Sequence, residues 1–450
     1  MCNNGPCQIC TEVAEVDEEI NQTLRRLLAK RCDLLSEHNR IHETLMNRLP
    51  IELKNHIFKL LLPSRDEWGV TPRRERNAML ACISVCRGWR DIALSNPFLW
   101  SSMHIVLRTP NLSNRINDWI LRSQTLPVTY HIRIDDNKEY LKQSREAVAD
   151  VMSRCSHRLQ SLSLDAPLSV LFGSRHNNFR YHRLRRLRII SSRSSVQFNQ
   201  PLSLLNPTAS PENIEFRGVS FASLQISWNC LTTANVDFDL KDLIQLFQNA
   251  SQMTYCEFVS LRSAPIDASM PPIVHHRLKT LIVHSWAAPI LLGSLTLPCL
   301  KELSINDTAL LTHLPALVQR SSCPLTKLIL FHVERWVSLD ELQPLTGVTD
   351  LVVVGMVGGR IVIKSLLLDV YYFPDLRHLT LRFQPFIELW DAGVIPLLLD
   401  RKRADERGLD KFIVVDQGRT PEFDLMWNSD VGEELKALNI DLREDGFEFL

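Results

Sequence analysis

Between Ala166 and Pro211 the sequence holds no aspartate, glutamate or lysine, yet it carries Arg175, Arg180, Arg183, Arg185, Arg186, Arg188 and Arg193. A guanidinium is a planar fork that matches a carboxylate or phosphate bidentately, so the chemistry on offer is capture of an anion rather than conversion of a substrate. If Leu184, Leu187 and Ile189 face a core, strand alternation sends Arg186 and Arg188 to the opposite face. There they either meet an acidic or phosphorylated partner or pair with Asp165 or Glu215 on adjacent strands. The equivalent outward positions of later segments are Tyr255, His284, Phe331 and Arg382, a mixed lining that suits a protein surface better than a small metabolite.

Catalytic signatures are missing. The chain has no HExxH, no GxSxG and no Walker lysine. "VVVGMVGGR" at 352–360 lacks phosphate-loop spacing and reads as a turn after a strand. Cys2, Cys7 and Cys10 cluster near the start, and Cys7-x-x-Cys10 with His38 and His42 has zinc-ligand residue types. The gap from Cys10 to His38 is about twice the roughly 12 to 15 residues of a finger. The expectation is therefore no enzyme, no cofactor and no metal.

These residues must be placed by a scaffold, and its signature is a repeat. "LQSLSL" at 159, "LRRLRI" at 184, "LKTLIV" at 278, "LKELSI" at 300, "LTKLIL" at 325, "VTDLVV" at 348 and "LRHLTL" at 376 share the form apolar-x-x-apolar-x-apolar. Weaker copies start at Pro211, Leu231, Met253 and Leu409. Their mean period, about 25 residues, falls in the range of leucine-rich repeats. A strand with one apolar face cannot bury that face alone, so such units stack side by side. The spacing predicts an irregular leucine-rich-repeat-like solenoid over 159–416, with 105–158 as linker and cap and 417–450 as terminal cap or tail. "KEYLKQSREAVADVMSRC", 138–155, reads as a capping helix.

The amino-terminal part is helical by periodicity. Over residues 13–45, Val13, Val16, Ile20, Leu24, Leu27, Leu34, Ile41 and Leu45 form a heptad-like stripe within the segment 1–44. Three imperfect heptads are short for a homodimeric coiled coil, so packing within the chain is the reading preferred. Residues 45–104 predict three helices: Pro50 opens the first, "PSRDEWGVTPRRER" at 63–76 interrupts, and Asn96-Pro97 stops the third before Phe98, Leu99 and Trp100. Leu53, Ile57 and Leu61 are expected in the core, whereas Leu49, Pro50 and Ile51 form a docking edge. Cys82 and Cys86 are expected to be small buried groups. About 60 residues bury only about 60% of their unfolded surface, and this stretch carries more large apolar groups than that can hide.

"LPIELKNHIFKLLL" followed by "SVCRGWRDIALSNPFLW" resembles an F-box. The leucine-proline start, the Ile57-Phe58 pair, the Val85-Cys-x-x-Trp89 core and the terminal Leu99-Trp100 stand in order. A heptad helix directly before it is similar to a large group of basidiomycete F-box proteins. The resemblance implies an α+β to α/β repeat protein that is the substrate-recognition subunit of a cullin-RING ubiquitin ligase. Its F-box would dock on the small adaptor through Leu49, Pro50, Ile51, Ile57, Phe58, Val85, Trp89, Leu99 and Trp100, and its repeats would hold a target. The alternative is an interaction scaffold whose F-box supports no ubiquitylation.

Composition agrees with a globular chain. The 450 residues are 45% hydrophobic and 23% charged, and 51 basic residues balance 51 acidic ones. No global charge points to nucleic acid or a membrane surface. Eleven scattered cysteines and no leader-like start predict a cytoplasmic or nuclear protein.

Overall fold

The computed structural model describes residues 7–42, 48–60, 81–85, 87–107, 112–134, 141–167, 179–191, 202, 205–259, 272–284, 288–306, 313–331, 345–356, 373–384, 411–416 and 440–444. The 63–76 insertion, Leu61, Cys86, Arg175, Arg193 and most of 417–450 lie outside them. The chain forms two compact units, Met1–Arg133 with Arg158–Gln160, and Ile134–His157 with Ser161–Leu450.

In the first unit α1 spans Gln8–His42 and α2 Ile51–Leu60, residues 81–85 are helical, and α3 spans Arg87–Ser95. A 3-10 turn, Pro97–Trp100, leads into β1 (Ser102–Leu107), α4 (Leu112–Arg122) and β2 (Val128–Ile134), and β1 neighbours β2. The region after residue 104, expected to be linker, therefore supplies two strands and a helix. The reason is packing: Trp119 of α4 meets Trp100 edge-on, centroids 4.8 Å apart, so the core closes only with the downstream segment.

Among the described residues the heptad-like stripe is not packed within the chain, and Leu45 lies outside them. Val13, Val16, Ile20, Leu24, Leu27, Leu34 and Ile41 are each more than half exposed. α1 instead touches α3 through the Asp33–Arg87 ion pair. By helical phase Asp33 lies about 100° round α1 from its neighbour Leu34, to one side of the stripe, and Ser36, a half-buried residue one turn on, lies opposite the stripe.

The second unit is a mostly parallel sheet with helices. α5 (Leu141–Cys155) coincides with the expected capping helix. Then come β3 (Leu159–Asp165), β4 (Arg186–Ile190), β5 (Asn213–Arg217), β6 (Thr233–Val236), α6 (Leu240–Asn249) and β7 (Tyr255–Phe258). They are followed by β8 (Ile273–Val274), β9 (Thr280–Val283), α7 (Ala288–Ser294), β10 (Leu295–Thr296), β11 (Glu302–Ile305) and α8 (Leu314–Ser321). The last are β12 (Lys327–Phe331), β13 (Asp350–Met356), β14 (His378–Gln384), β15 (Lys411–Asp416) and β16 (Ile440–Glu444). β8 and β10 form a separate parallel pair, and the rest from β3 to β16 lie side by side in sequence order, all parallel. Ten of the eleven repeat starts lie two residues before a strand of this sheet, and β3 begins at the other, Leu159. β16 adds a strand within 417–450.

Two register rows carry the core. One runs from Leu162 through Leu187, Leu281 and Leu328 to Leu379, the other from Leu164 through Ile189, Val283 and Leu330 to Leu381, and every residue named is buried. The strands are locked at their entries by a shared acceptor. Lys301 and Glu302 both donate their amides to the Lys279 carbonyl, Thr326 and Lys327 to the Lys301 carbonyl, and Thr349 and Asp350 to the Thr326 carbonyl, at 2.8–3.0 Å. A carbonyl has two lone pairs, so one oxygen satisfies two amides of the next strand. Thr326 and Thr349 add hydroxyl donation to the same carbonyls, at 3.2 and 3.3 Å.

Leu328→Ala should destabilise the second unit by about 2–5 kcal/mol. Lys327→Ala, one residue earlier on the opposite face, should change it by less than about 1 kcal/mol. Urea unfolding of the two variants checks the difference.

Candidate functional site

Two surfaces carry the candidate residues, one on each unit. On the first, Pro50 precedes α2 at a position where its missing amide costs no helical bond, and its carbonyl accepts from the Lys54 amide at 3.2 Å. The core beneath is Phe58, Cys82, Ala93, Leu99 and Trp100, with Leu49, Ile57 and Trp89 packed against it. Phe58 and Trp89 are tilted rings 5.1 Å apart. Trp100 donates its indole N–H to the Ala93 carbonyl at 2.9 Å and is overlaid by the Arg122 guanidinium at 4.6 Å. Asn96 holds the turn: its Oδ1 accepts from the Phe98 amide at 3.1 Å, and its Nδ2 donates to Asn55 Oδ1 of α2 at 3.0 Å.

This arrangement divides the nine residues that sequence alone left together. Phe58, Leu99 and Trp100 are interior, Leu49, Ile57 and Trp89 are half-buried supports, and Pro50, Ile51 and Val85 are exposed. Leu53 corrects the expectation of a core face: it is 49% exposed, and with Leu60 at 71% it lies on the side of α2 away from Phe58. Phe98 is 43% exposed, with the Lys59 ammonium 5.2 Å from its ring centre. The exposed apolar groups around this core, its rim, are thus Pro50, Ile51, Leu53, Leu60, Val85 and Phe98, with Ile51 in helical phase with Phe58 and Leu53 and Leu60 on the other side of α2. Sequence reasoning undervalued Leu53, Leu60 and Phe98, whose signal was the phase opposite Phe58 and the position just after the helix-stopping Asn96-Pro97.

On the second unit Arg186, Arg188, Tyr255, His284, Phe331 and Arg382 are all half-buried, on the sheet face opposite the buried leucines. The structure does not gather all six into one cluster. It builds a chain of charges across β4 to β9 instead. Arg188 pairs with Glu215 at 2.8 Å, and Arg217 approaches Glu215 at 4.0 Å. Arg217 donates to Asn235 at 2.8 Å, and Asn235 donates to Glu257 at 3.0 Å. Tyr255 donates its phenol to Glu257 at 2.9 Å, and His284 Nε2 stands 3.4 Å from it. His284 also packs against Phe331, centroids 5.8 Å apart. Glu257 is held below the usual carboxylate range, chiefly by the His284 hydrogen bond, and burial pushes the Tyr255 phenol up. Glu215, Arg217, Asn235 and Glu257 went unnoticed in the sequence, although each alternates with a buried strand residue.

Arg188 therefore has a carboxylate within its own sheet, which is the pairing weighed against anion capture. Near the sequence start, the Cys7 and Cys10 sulfurs are 3.4 Å apart. His38 lies 28 residues along the same helix, about 42 Å at 1.5 Å per residue, so these groups cannot share one ion within a chain. Among the described residues no helix is long and apolar enough to cross a membrane.

Residues 46–106 match the F-box-like family, which covers α2, α3, the 3-10 turn and most of β1. No curated protein matches the chain.

The lowered Glu257 pKa means that its ionised form stabilises the fold. That contribution is full above about pH 4.5, the ordinary value of the group, and is lost as pH falls through the depressed folded value. Glu257→Gln should therefore reduce stability at pH 7 and flatten its acid-side decline. Urea midpoints at pH 7 and pH 4 test this, and parallel losses in the two proteins would refute it.

Proposed function

We propose, from the F-box-like match over residues 46–106, that this chain is a substrate-recognition subunit of a cullin-RING ubiquitin ligase. The observation that supports the reading is the apolar rim of Ile51, Leu53, Leu60, Val85 and Phe98, 37–71% exposed outside the described core of Phe58, Cys82, Ala93, Leu99 and Trp100. Large apolar groups kept outside a filled core mark a protein interface. The partner is the small adaptor subunit that F-box segments generally bind.

The second unit is then the target-binding arm, read as an irregular leucine-rich-repeat-like solenoid. Supporting this are the side-by-side order of its strands and the repeated entry carbonyl. Register partners are as near as Ile214 and Ala234, 20 residues apart, and as far as Leu379 and Phe412, 33 apart, a spread around the leucine-rich period. Its target would lie on the face bearing Arg186, Tyr255, His284, Phe331 and Arg382. Ubiquitin transfer belongs to other subunits, and this chain contributes proximity, not chemistry. It is a protein without a cofactor, and its working compartment is the cytoplasm or nucleus.

Ile51→Asp with Phe98→Asp should abolish capture of the purified adaptor, a loss of at least about 100-fold for two charges placed in an apolar contact. The thermal midpoint should move little, because both side chains are exposed. Undiminished capture would sink the docking assignment. Conversely, Tyr255→Ala with Phe331→Ala should leave adaptor capture intact and reduce the proteins co-purified under proteasome inhibition. Adaptor binding without any ubiquitylated client would favour the scaffold reading.

A further inference from the structure

The exposed stripe of α1 is used neither by the rim nor by the sheet. Its backbone column is Val13, Ile20, Leu27, Leu34 and Ile41, spaced by seven, with Ile9, Val16 and Leu24 alongside. All eight are between 51 and 70% exposed. An apolar stripe of this length on a solvated helix needs a second helix. The contact α1 already makes within the chain is to one side of that stripe, where Asp33 pairs with Arg87.

Charge says which helix fits. From Gln8 to Leu24 the chain has five carboxylates, Glu12, Glu15, Asp17, Glu18 and Glu19, and no base. From Arg25 to Cys32 it has four bases, Arg25, Arg26, Lys30 and Arg31, and no acid. Parallel copies would set the acidic blocks against each other, whereas antiparallel copies set acid against base. The apolar residues fit that orientation. With the two-fold axis between residues 21 and 22, Ile9 meets Leu34 and Val16 meets Leu27 of the second copy, while Ile20 meets Thr23 and Val13 meets Lys30. In that alignment Glu19 falls near Arg26 on one flank, the geometry of an interhelical pair bordering a seam, and Glu12 is one residue from alignment with Lys30, which continues the column of Ile9 and Val16. The overlap from 9 to 34 is 26 residues, about 39 Å, between three and four heptads. That length is marginal for free peptides, but here α1 is braced on a folded unit before it pairs.

We infer that α1 joins two copies of this chain in an antiparallel two-stranded coiled coil centred near residues 21–22. The assembly presents two rims and two sheets, so a ligase built on it would be bivalent. The inference stands whether or not the rim binds the adaptor, since its readouts involve this chain alone.

Sedimentation equilibrium of the full chain should give a dimer at micromolar concentration. A thiol-reactive bismaleimide should link Cys10 of one copy to Cys32 of the other, which the register brings within one residue of alignment. The same two cysteines within a copy are 22 helical residues apart, about 33 Å, so a short reagent cannot join them there. Ile20→Glu with Leu27→Glu should weaken dimerisation at least about 100-fold with unchanged circular dichroism. Should that variant lose structure, Glu12→Lys with Glu19→Lys provides the second arm: monomeric alone, it should dimerise when mixed with Arg26→Glu, Lys30→Glu chains. A monomeric wild-type chain, or cross-links joining Cys32 to Cys32, would overturn the proposal.

Discussion

The entry carbonyl shared between neighbouring strands is the constraint on which the sheet unit depends. The Lys279, Lys301 and Thr326 carbonyls each accept two amides from the strand that follows. Every strand therefore starts where its predecessor lets it, and the register is fixed for the whole row. Once that register is set, alternation does the rest: leucines at Leu281, Leu303 and Leu328 go to one side, and Thr280, Glu302 and Lys327 go to the other. The polar face is thus a consequence of backbone geometry, with side chains that lie outside the leucine core, and of these Glu257 with its partners also stabilises the fold. A surface set apart from the core in this way suits a recognition role.

The helical unit solves a different problem. A domain of about 60 residues is marginal alone, and this one recruits residues beyond the family match to complete itself. Trp119 and Arg122 of α4 cover Trp100, while Asn96 ties the 3-10 turn to α2. Among the described residues the buried core is Phe58, Cys82, Ala93, Leu99 and Trp100, without Ile51, Leu53, Leu60 or Phe98, and the exposure of these four is the physical content of the docking assignment. If they were needed inside, the same sequence resemblance would carry no interface.

The repeat strands were the most legible part of the sequence, because seven copies of one apolar pattern leave little choice of period. Even the weak starts at Pro211, Leu231 and Met253 precede strands β5, β6 and β7. Three features escaped. β16 was passed over, although "ALNIDL" at 437–442 carries the same apolar-x-x-apolar-x-apolar form, with Ile440 and Leu442 in register with Phe412 and Val414. The division of F-box residues into core and rim depends on which turn of α2 meets Trp89, which spacing alone does not specify, and Leu53 was misplaced for that reason. The α1 stripe was visible, but its exposure was not: a heptad pattern reports that a face wants a partner, not whether that partner is in the same chain. On the sheet, Arg188 was correctly turned away from the core, yet its partner Glu215 became decisive only when β4 and β5 were in register.

Hydrogen exchange of the full chain with and without the purified adaptor subunit tests the central claim most directly. The account predicts slowed exchange at the amides of α2 and of the turn Pro97–Trp100, with β9 to β13 unchanged. Protection confined to the sheet, or none at α2, would contradict it.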